Sequence, residues 1–346
     1  MATMARITGG VDTHLDVHVA AALNDVGGVL GTASFPTTTA GYRQLLGWLS
    51  WFGEITLVGV EGTGSYGAGL SRFLHSRHVG VVEVDRPNRQ TRRLAGKSDP
   101  IDAISAARAA LGGTANGAAK TRDGNVESLR VLRVAMLSAR KARTQAINQI
   151  HSLVCTAPDE LRDKLRHLPT VDLIRVCASL RPPASTDVAA VTKTTLRALA
   201  RRVHHLDEEA ADLQALIRPL VSTTAPELLA HHGVGPDTAA ALLIAAGDNP
   251  SRLRSEATFA RLCGAAPIPA TSGKTQNRHR LHRGGDRQAN SALWRIALTR
   301  MSNDPDTRAY VTRRTQQGLS KREVMRCLKR YIARELYADL PQQMLA

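Results

Sequence analysis

The chain has 346 residues, with 46 Lys and Arg against 30 Asp and Glu and a formal net charge of +16. That length supports two or three domains with cores of their own, and that charge draws polyanions. Four scattered cysteines without a CxxC pair argue against a zinc knuckle or a disulfide framework. An aromatic content of 3% argues against a base-stacking sheet, and no uncharged apolar run reaches the ~18 residues of a membrane span.

The charge is unevenly spread. Residues 1–112 carry 10 basic and 9 acidic side chains, whereas residues 113–346 carry 36 and 21. A nearly neutral domain followed by a basic remainder separates chemistry from grip on nucleic acid. The expectation is a cytoplasmic, nucleoid-associated protein without membrane contact.

In chain order, residues 6–11, 17–23 and 29–35 read as three short strands, with Asn24 to Gly28 as the turn between the last two. Thr39 then caps a helix whose Tyr42, Leu45, Leu46, Leu49 and Phe52 sit at helical spacing. The apolar run 55–60 lacks alternation, as in a strand buried on both faces, and ends at Glu61-Gly62-Thr63-Gly64. A helix over about 65–77, a strand over 79–84, a basic segment with Arg86, Arg89, Arg92 and Arg93, and a helix from Ser98 complete residues 1–112. The order β-β-β-α-β-α-β-α, with acids after the first and fourth strands and on the closing helix, is that of an α/β RNase H-like (RuvC-like) domain.

Gly112-Gly113-Thr114-Ala115-Asn116-Gly117 reads as a linker. Residues 126–154 predict a long helix. Leu196, Leu199, Val203, Leu206, Ala210, Leu213, Ile217 and Leu220 then alternate spacings of three and four, a coiled-coil seam. The first helix offers a weaker seam, interrupted by Arg143, and prolines 158, 169, 182 and 183 let the two run antiparallel. Pairing between chains is favoured over closure within one, which makes residues 113–224 a helical oligomerisation region. Residues 225–346 read as an all-α basic domain. Its Gly233-Val234-Gly235 turn before a small-residue helix looks like a helix-hairpin-helix that offers backbone N–H groups to phosphate.

Four acids carry the candidate chemistry. Asp99 and Asp102 lie at i and i+3, on one face of a helix that begins at Ser98. Such close carboxylates repel unless a cation compensates. Asp12 and Glu61 complete an oxygen-ligand set suited to Mg²⁺ or Mn²⁺, the hard cations of phosphodiester chemistry. Further on, Ala270-Thr271-Ser272-Gly273-Lys274 is followed by Arg278, Arg280, Arg283 and Arg287. A serine in a cationic loop can attack a phosphate while guanidiniums steady the developing charge. By itself this loop is equally a phosphate-binding or capping element.

Val11-Asp12-Thr13-His14, Val60-Glu61-Gly62-Thr63-Gly64 and Lys97-Ser98-Asp99-Pro100-Ile101-Asp102-Ala103 resemble the DEDD motifs of insertion-sequence transposases related to the Piv DNA invertase. Gly264-Ala265-Ala266-Pro267, Ser272-Gly273-Lys274 and the segment from Arg283 to Leu293 resemble that family's C-terminal transposase domain. The resemblance implies a transposase or site-specific recombinase in which Asp12, Glu61, Asp99 and Asp102 bind metal and Ser272 is the nucleophile. It also implies double-stranded donor and target DNA, a bridge noncoding RNA as guide, and a homo-oligomer, dimer or tetramer. The alternative is a RuvC-type structure-specific nuclease that uses water and has no need of Ser272. A noncatalytic architectural binder is the third reading.

Overall fold

A computed structural model describes residues 5–84, 98–115, 117–249, 253–273, 279–282 and 284–341. The basic segment with Arg86, Arg89, Arg92 and Arg93 lies outside the described residues, as do Lys274, Arg278 and Arg283. The chain divides into two compact units, Met1–Glu127 with Ala246–Phe259 and Leu340–Ala346, and Ser128–Ala245 with Ala260–Asp339.

The first unit is built on a sheet. Strand β1 (Arg6–Thr13) pairs antiparallel with β2 (Val17–Asn24), which pairs antiparallel with β3 (Val29–Pro36). Helix α1 (Thr39–Phe52) follows, with Thr38 rather than Thr39 as its cap: the Thr38 hydroxyl accepts the Gly41 N–H at 3.1 Å. Strand β4 (Glu54–Glu61) returns parallel to β1, helix α2 (Ala68–His75) crosses over, and β5 (Val81–Val84) adds parallel to β4. Helix α3 (Asp99–Leu111) comes next. The expected linker runs into β6 (Gly117–Ala118), which pairs antiparallel with β5. The strand order β3-β2-β1-β4-β5-β6 is compatible with a RuvC-like domain.

The two sheet faces differ. One buries Ile7, Val11, Val58 and Val60 against Leu45, Leu49, Leu70 and Leu74 of α1 and α2, each such side chain contributing roughly 1.5–3 kcal/mol. The other face takes α3, whose buried residues include Ala103, Ala106, Ala107 and Ala110. Small residues on both sides set the distance. A Cβ on Gly10 would lie 2.1 Å from the Ala107 nitrogen, and one on Gly59 would lie 2.6 Å from the Ala106 carbonyl oxygen. The returning segment is tied in by side chains: Asp248 accepts the Val126 N–H at 2.9 Å, and Asn249 donates to the Ala119 carbonyl at 2.9 Å.

The second unit opens with α4 (Asn125–Cys155) and contains α7 (Val188–Thr224), of 31 and 37 residues. Between them lie α5 (Asp159–Leu165) and α6 (Thr170–Ser179), each entered from a proline, Pro158 and Pro169. The N-terminal part of the seam expected to pair between chains packs within one chain. Leu196, Ala200 and Val203 of α7 pack in one core with Ala146, Ile150 and Val154 of α4 and with Leu161, Leu165 and Cys177. The two short helices pack on the N-terminal end of the seam, at Leu196 to Val203. Arg143, the interruption of the α4 seam, pairs with Asp207 of α7. Middle and C-terminal helices therefore share a single compact unit.

The chain continues through α8 (Pro226–Ala230), α9 (Pro236–Ala246) and α10 (Glu256–Leu262). The C-terminal part is not all-helical. Strands β7 (Pro267–Pro269) and β8 (His279–Leu281) form an antiparallel hairpin, pairing Ile268 with Arg280. Pro267 and Pro269 deny a helix its N–H groups and suit a short edge strand, which is the physical reason for the departure. Helices α11 (Arg287–Asn303), α12 (Pro305–Gln316) and α13 (Lys321–Tyr337) close the unit. No helix among the described residues is long and apolar enough to cross a membrane.

Candidate functional site

Strand alternation aims the acids. Side chains two apart on a strand share a face, so Asp12 lies on the face where Gly10 meets α3. Glu61 follows Gly59 in the same way on β4, and Val11 pairs with Val60 in the β1–β4 register. The Thr13 hydroxyl donates to the Glu61 carbonyl at 2.8 Å and ties the two strand ends together. Opposite them, the first turn of α3 carries Asp99 and Asp102, with the Asp102 N–H bonded to the Ser98 carbonyl at 3.0 Å. Asp12, Asp102 and Glu61 are buried, whereas the Asp99 side chain is half exposed.

His14, which the motif contains but the sequence reading left without a role, joins the acids. Its Nε2 lies 3.2 Å from Asp12 Oδ2 and 3.5 Å from Asp99 Oδ1. Asp12, His14 and Asp99 each offer one ligand atom, all within 4.8 Å of one another. Its signal in the sequence was the Asp-x-His spacing at the end of a strand. Burial pushes the Asp12 carboxyl above its ordinary pKa, His14 opposes the rise, and Asp102 and Asp99 add to it. Buried carboxylates that repel one another favour a cation in their midst. The donors are mainly carboxylate oxygens with one imidazole, a set that Mg²⁺ or Mn²⁺ fits.

The second group of expected residues lies in the other unit. Ser272 is exposed on the loop of the β7–β8 hairpin, and Arg280 is exposed on β8 itself. Arg287 is exposed at the first position of α11, where the Asp286 carboxylate caps the helix through the N–H groups of Gln288 and Ala289 at 2.8 and 2.9 Å.

The Gly-Val-Gly turn links α8 to α9. Gly233 adopts a positive φ of +79° and lies against α11, where a Cβ would meet the Ile296 carbonyl oxygen at 3.3 Å. The Gly235 N–H is donated to Thr238 Oγ1 at 2.9 Å. A polar clamp holds the turn: His231 lies between Glu335 at 2.7 Å and Asp339 at 2.5 Å, and Arg300 donates to the His232 carbonyl at 2.8 Å. In the first turn of α9, Asp237 is surrounded by Arg133, Arg140 and Arg295 at 2.9, 3.3 and 2.7 Å. Burial alone would raise its pKa, but the Arg295 hydrogen bond and the charges of Arg133 and Arg295 hold it below the ordinary value.

Comparison with known proteins covers both parts of the chain. A DEDD-type IS110 family model described as "Transposase" matches residues 9–157, and the model "Transposase IS116/IS110/IS902 family" matches residues 225–312. A 43.6 kDa protein of insertion element IS110 from Streptomyces coelicolor is 32% identical over 144 residues, 41% of this chain and 35% of the relative. A 42 kDa protein of insertion element IS900 from Mycobacterium paratuberculosis is 29% identical over 149 residues, 42% of this chain and 37% of the relative. The chain thus aligns with little more than a third of the length of these relatives. With one family model on the acid-bearing segment and the other on the C-terminal helices, the chain is similar to IS110-family transposases in both stretches.

Proposed function

We propose that the protein is a transposase and site-specific recombinase that cuts and exchanges DNA strands with a serine nucleophile and a carboxylate-bound divalent cation. The observation that supports this most is the meeting of Asp12, Asp99 and His14 within 4.8 Å, in a chain similar to IS110-family transposases. Asp12, Glu61, Asp99 and Asp102 would hold Mg²⁺ or Mn²⁺, with His14 as an added donor. When bound, the cation supplies neutralisation of charge on the reacting phosphodiester.

The Ser272 hydroxyl attacks the phosphorus and forms a P–O bond to the protein as a P–O bond of the DNA strand breaks. The departing deoxyribose oxygen takes up a proton and becomes a hydroxyl. Attack on the phosphoserine by the hydroxyl of another strand reverses the step, so the strand is exchanged without net hydrolysis. Lys274, Arg278, Arg280, Arg283 and Arg287 serve the phosphates; the Gly233 and Gly235 turn, expected to offer N–H groups as well, has its Gly235 N–H taken by Thr238. Double-stranded donor and target DNA, a bridge noncoding RNA as guide, a dimer or tetramer, and a place in the cytoplasm at the nucleoid complete the reading. Exchange needs more than one active site, which is the reason for an oligomer.

The test is to trap the covalent intermediate. Denaturing gels of wild-type protein with donor DNA and Mg²⁺ are expected to show a protein–DNA adduct, and Ser272→Ala is expected to show none. Asp12→Ala should abolish strand exchange while DNA binding persists. Full exchange by Ser272→Ala would remove the serine from the mechanism. Metal-dependent cutting with no adduct would favour the RuvC-type nuclease, which the comparisons do not favour.

A further inference from the structure

The β7–β8 hairpin and α13 enclose two adjoining hollows, of about 640 and 320 Å³, which share His279, Arg280, Leu281 and Arg326 in their walls. We propose that this trough binds a nucleotide of an unpaired nucleic-acid strand, with its phosphodiester on Arg280 and Arg326 and its base on Tyr331. The choice of nucleic acid as the ligand rests on the transposase reading.

Charge points to a polyanion. Arg280 and Arg326 are exposed and make no hydrogen bond or ion pair within 4.0 Å among the described residues. One acid, Glu323, lines the smaller hollow. Its carboxylate is turned back on its own helix, accepting from the Ser320 N–H at 2.8 Å and the Ser320 hydroxyl at 2.7 Å. It closes a capping box there, so the guanidiniums are left for a ligand.

Shape and ring chemistry point to a single nucleotide. Tyr331 lines the smaller hollow, is 53% exposed, and is held edge-to-face against Tyr310 with ring centroids 5.9 Å apart. A half-exposed ring fixed by a second ring is a stacking surface for any base. The remaining walls include Pro267, Ile268 and Leu281, which suit the faces of a base. His282, in the wall of the larger hollow, has a buried Nδ1 without a hydrogen-bond partner among the described residues. A concave site of this kind admits a base taken out of its stack rather than a base pair within one. One ring on a helix suffices for this, in a chain whose aromatics are too sparse for a stacking sheet. Strand exchange produces unpaired nucleotides of this kind.

The experiment measures anisotropy of a labelled oligothymidylate of about 20 nucleotides, a duplex of equal length and an abasic strand, each with the full chain. Tyr331→Ala is expected to weaken oligothymidylate binding by about 5- to 100-fold and to leave duplex and abasic-strand binding unchanged. Tyr331→Phe should restore it. Arg326→Ala should weaken binding to every single strand and lower the salt slope by about 0.7. Thermal unfolding of each variant establishes that the fold is kept, and both substituted positions are exposed. Equal oligothymidylate affinity in wild type and Tyr331→Ala would overturn the site. So would a polyglutamate peptide that competes as well as the oligonucleotide, because an acidic protein segment would then be the occupant. Asp12→Ala should bind the strands normally, so loss of strand exchange with stacking intact counts against the proposed function alone.

Discussion

A buried imidazole with no hydrogen-bond partner is unfavourable, and His18 is such a residue. It is fully buried on β2, both ring nitrogens lack a partner among the described residues, and its ring stacks on Tyr42 at 5.7 Å with the planes 4° apart. Burial, with the charge of His14 adding to it, drives its pKa from 6.5 down to about 4. As pH falls, the unfolded chain therefore takes up the proton before the folded one. This contribution to stability is intact above pH 6.5, declines through the window down to pH 4 and levels off below it. At about 1.4 kcal/mol per pH unit, the full window amounts to about 3 kcal/mol. His18→Phe keeps a ring against Tyr42 and removes the titration. Urea unfolding at pH 7 and pH 4.5 is expected to show a smaller loss of stability for the variant than for wild type, and equal losses would refute the assignment. The sequence made such residues legible only in part. Asp12 and Glu61 were visible because each ends an apolar run, and Asp99 and Asp102 because they lie at i and i+3 where a helix begins. His14 and His18 stand close together in one motif-bearing stretch, and only the end of β1 and the start of β2 separate a histidine of the turn, on carboxylates, from a strand histidine in the core.

At the scale of elements, the acid cluster depends on how closely α3 approaches β1. The charges of Asp102 and Asp99 bear on Asp12 because Gly10 has no side chain and α3 is lined with alanine. In Gly10→Ala the new Cβ would fall 2.1 Å from the Ala107 nitrogen and 2.3 Å from the Ala103 carbonyl oxygen, both backbone atoms that cannot swing aside. The helix must shift, at a cost of about 1–3 kcal/mol or more, and Asp99 and Asp102 shift with it. Strand exchange should fall at least tenfold even where the protein remains folded, since misplacing a reacting geometry by ~1 Å costs about 100-fold. Gly47→Ala is the control. It lies exposed within α1 with nothing within 4 Å of its Cβ, and should stabilise by roughly 0.5–1 kcal/mol without touching activity. Full activity in Gly10→Ala would show that the acids do not depend on this contact. Helical and strand periodicity made nearly all the first-unit elements legible. The occupant of the α7 seam was not, because spacings of three and four describe a face to be covered and not whether α5 and α6 or a second chain covers it. The β7–β8 hairpin was missed for a related reason: three-residue strands are too short to show a period.

Across the whole molecule, the division between a near-neutral first third and a basic remainder was legible from charge alone, with 10 basic and 9 acidic residues in 1–112 against 36 and 21 in 113–346. The path of the chain was not. Residues 246–259 rejoin the first unit through Asp248 and Asn249, whose bonds to Val126 and Ala119 span more than a hundred residues and leave no local pattern. The charge division has a measurable consequence. If grip comes from the basic remainder, affinity for duplex DNA arises from counterion release and falls with salt at a slope of about −0.9 per phosphate contacted. The acids take no share in it: Asp12 and Asp102 are buried, and with Asp99 they repel phosphate unless a cation intervenes. EDTA should therefore stop strand exchange while leaving duplex affinity and its salt slope as they were. Asp12→Ala should behave as EDTA does on both measurements. A tenfold fall in duplex affinity on chelation, at constant ionic strength, would mean that the acids hold the DNA through their cation. Chemistry and grip would then be one site, and the excess of basic residues in 113–346 would need another purpose, with the proposed guide RNA as the first ligand to titrate.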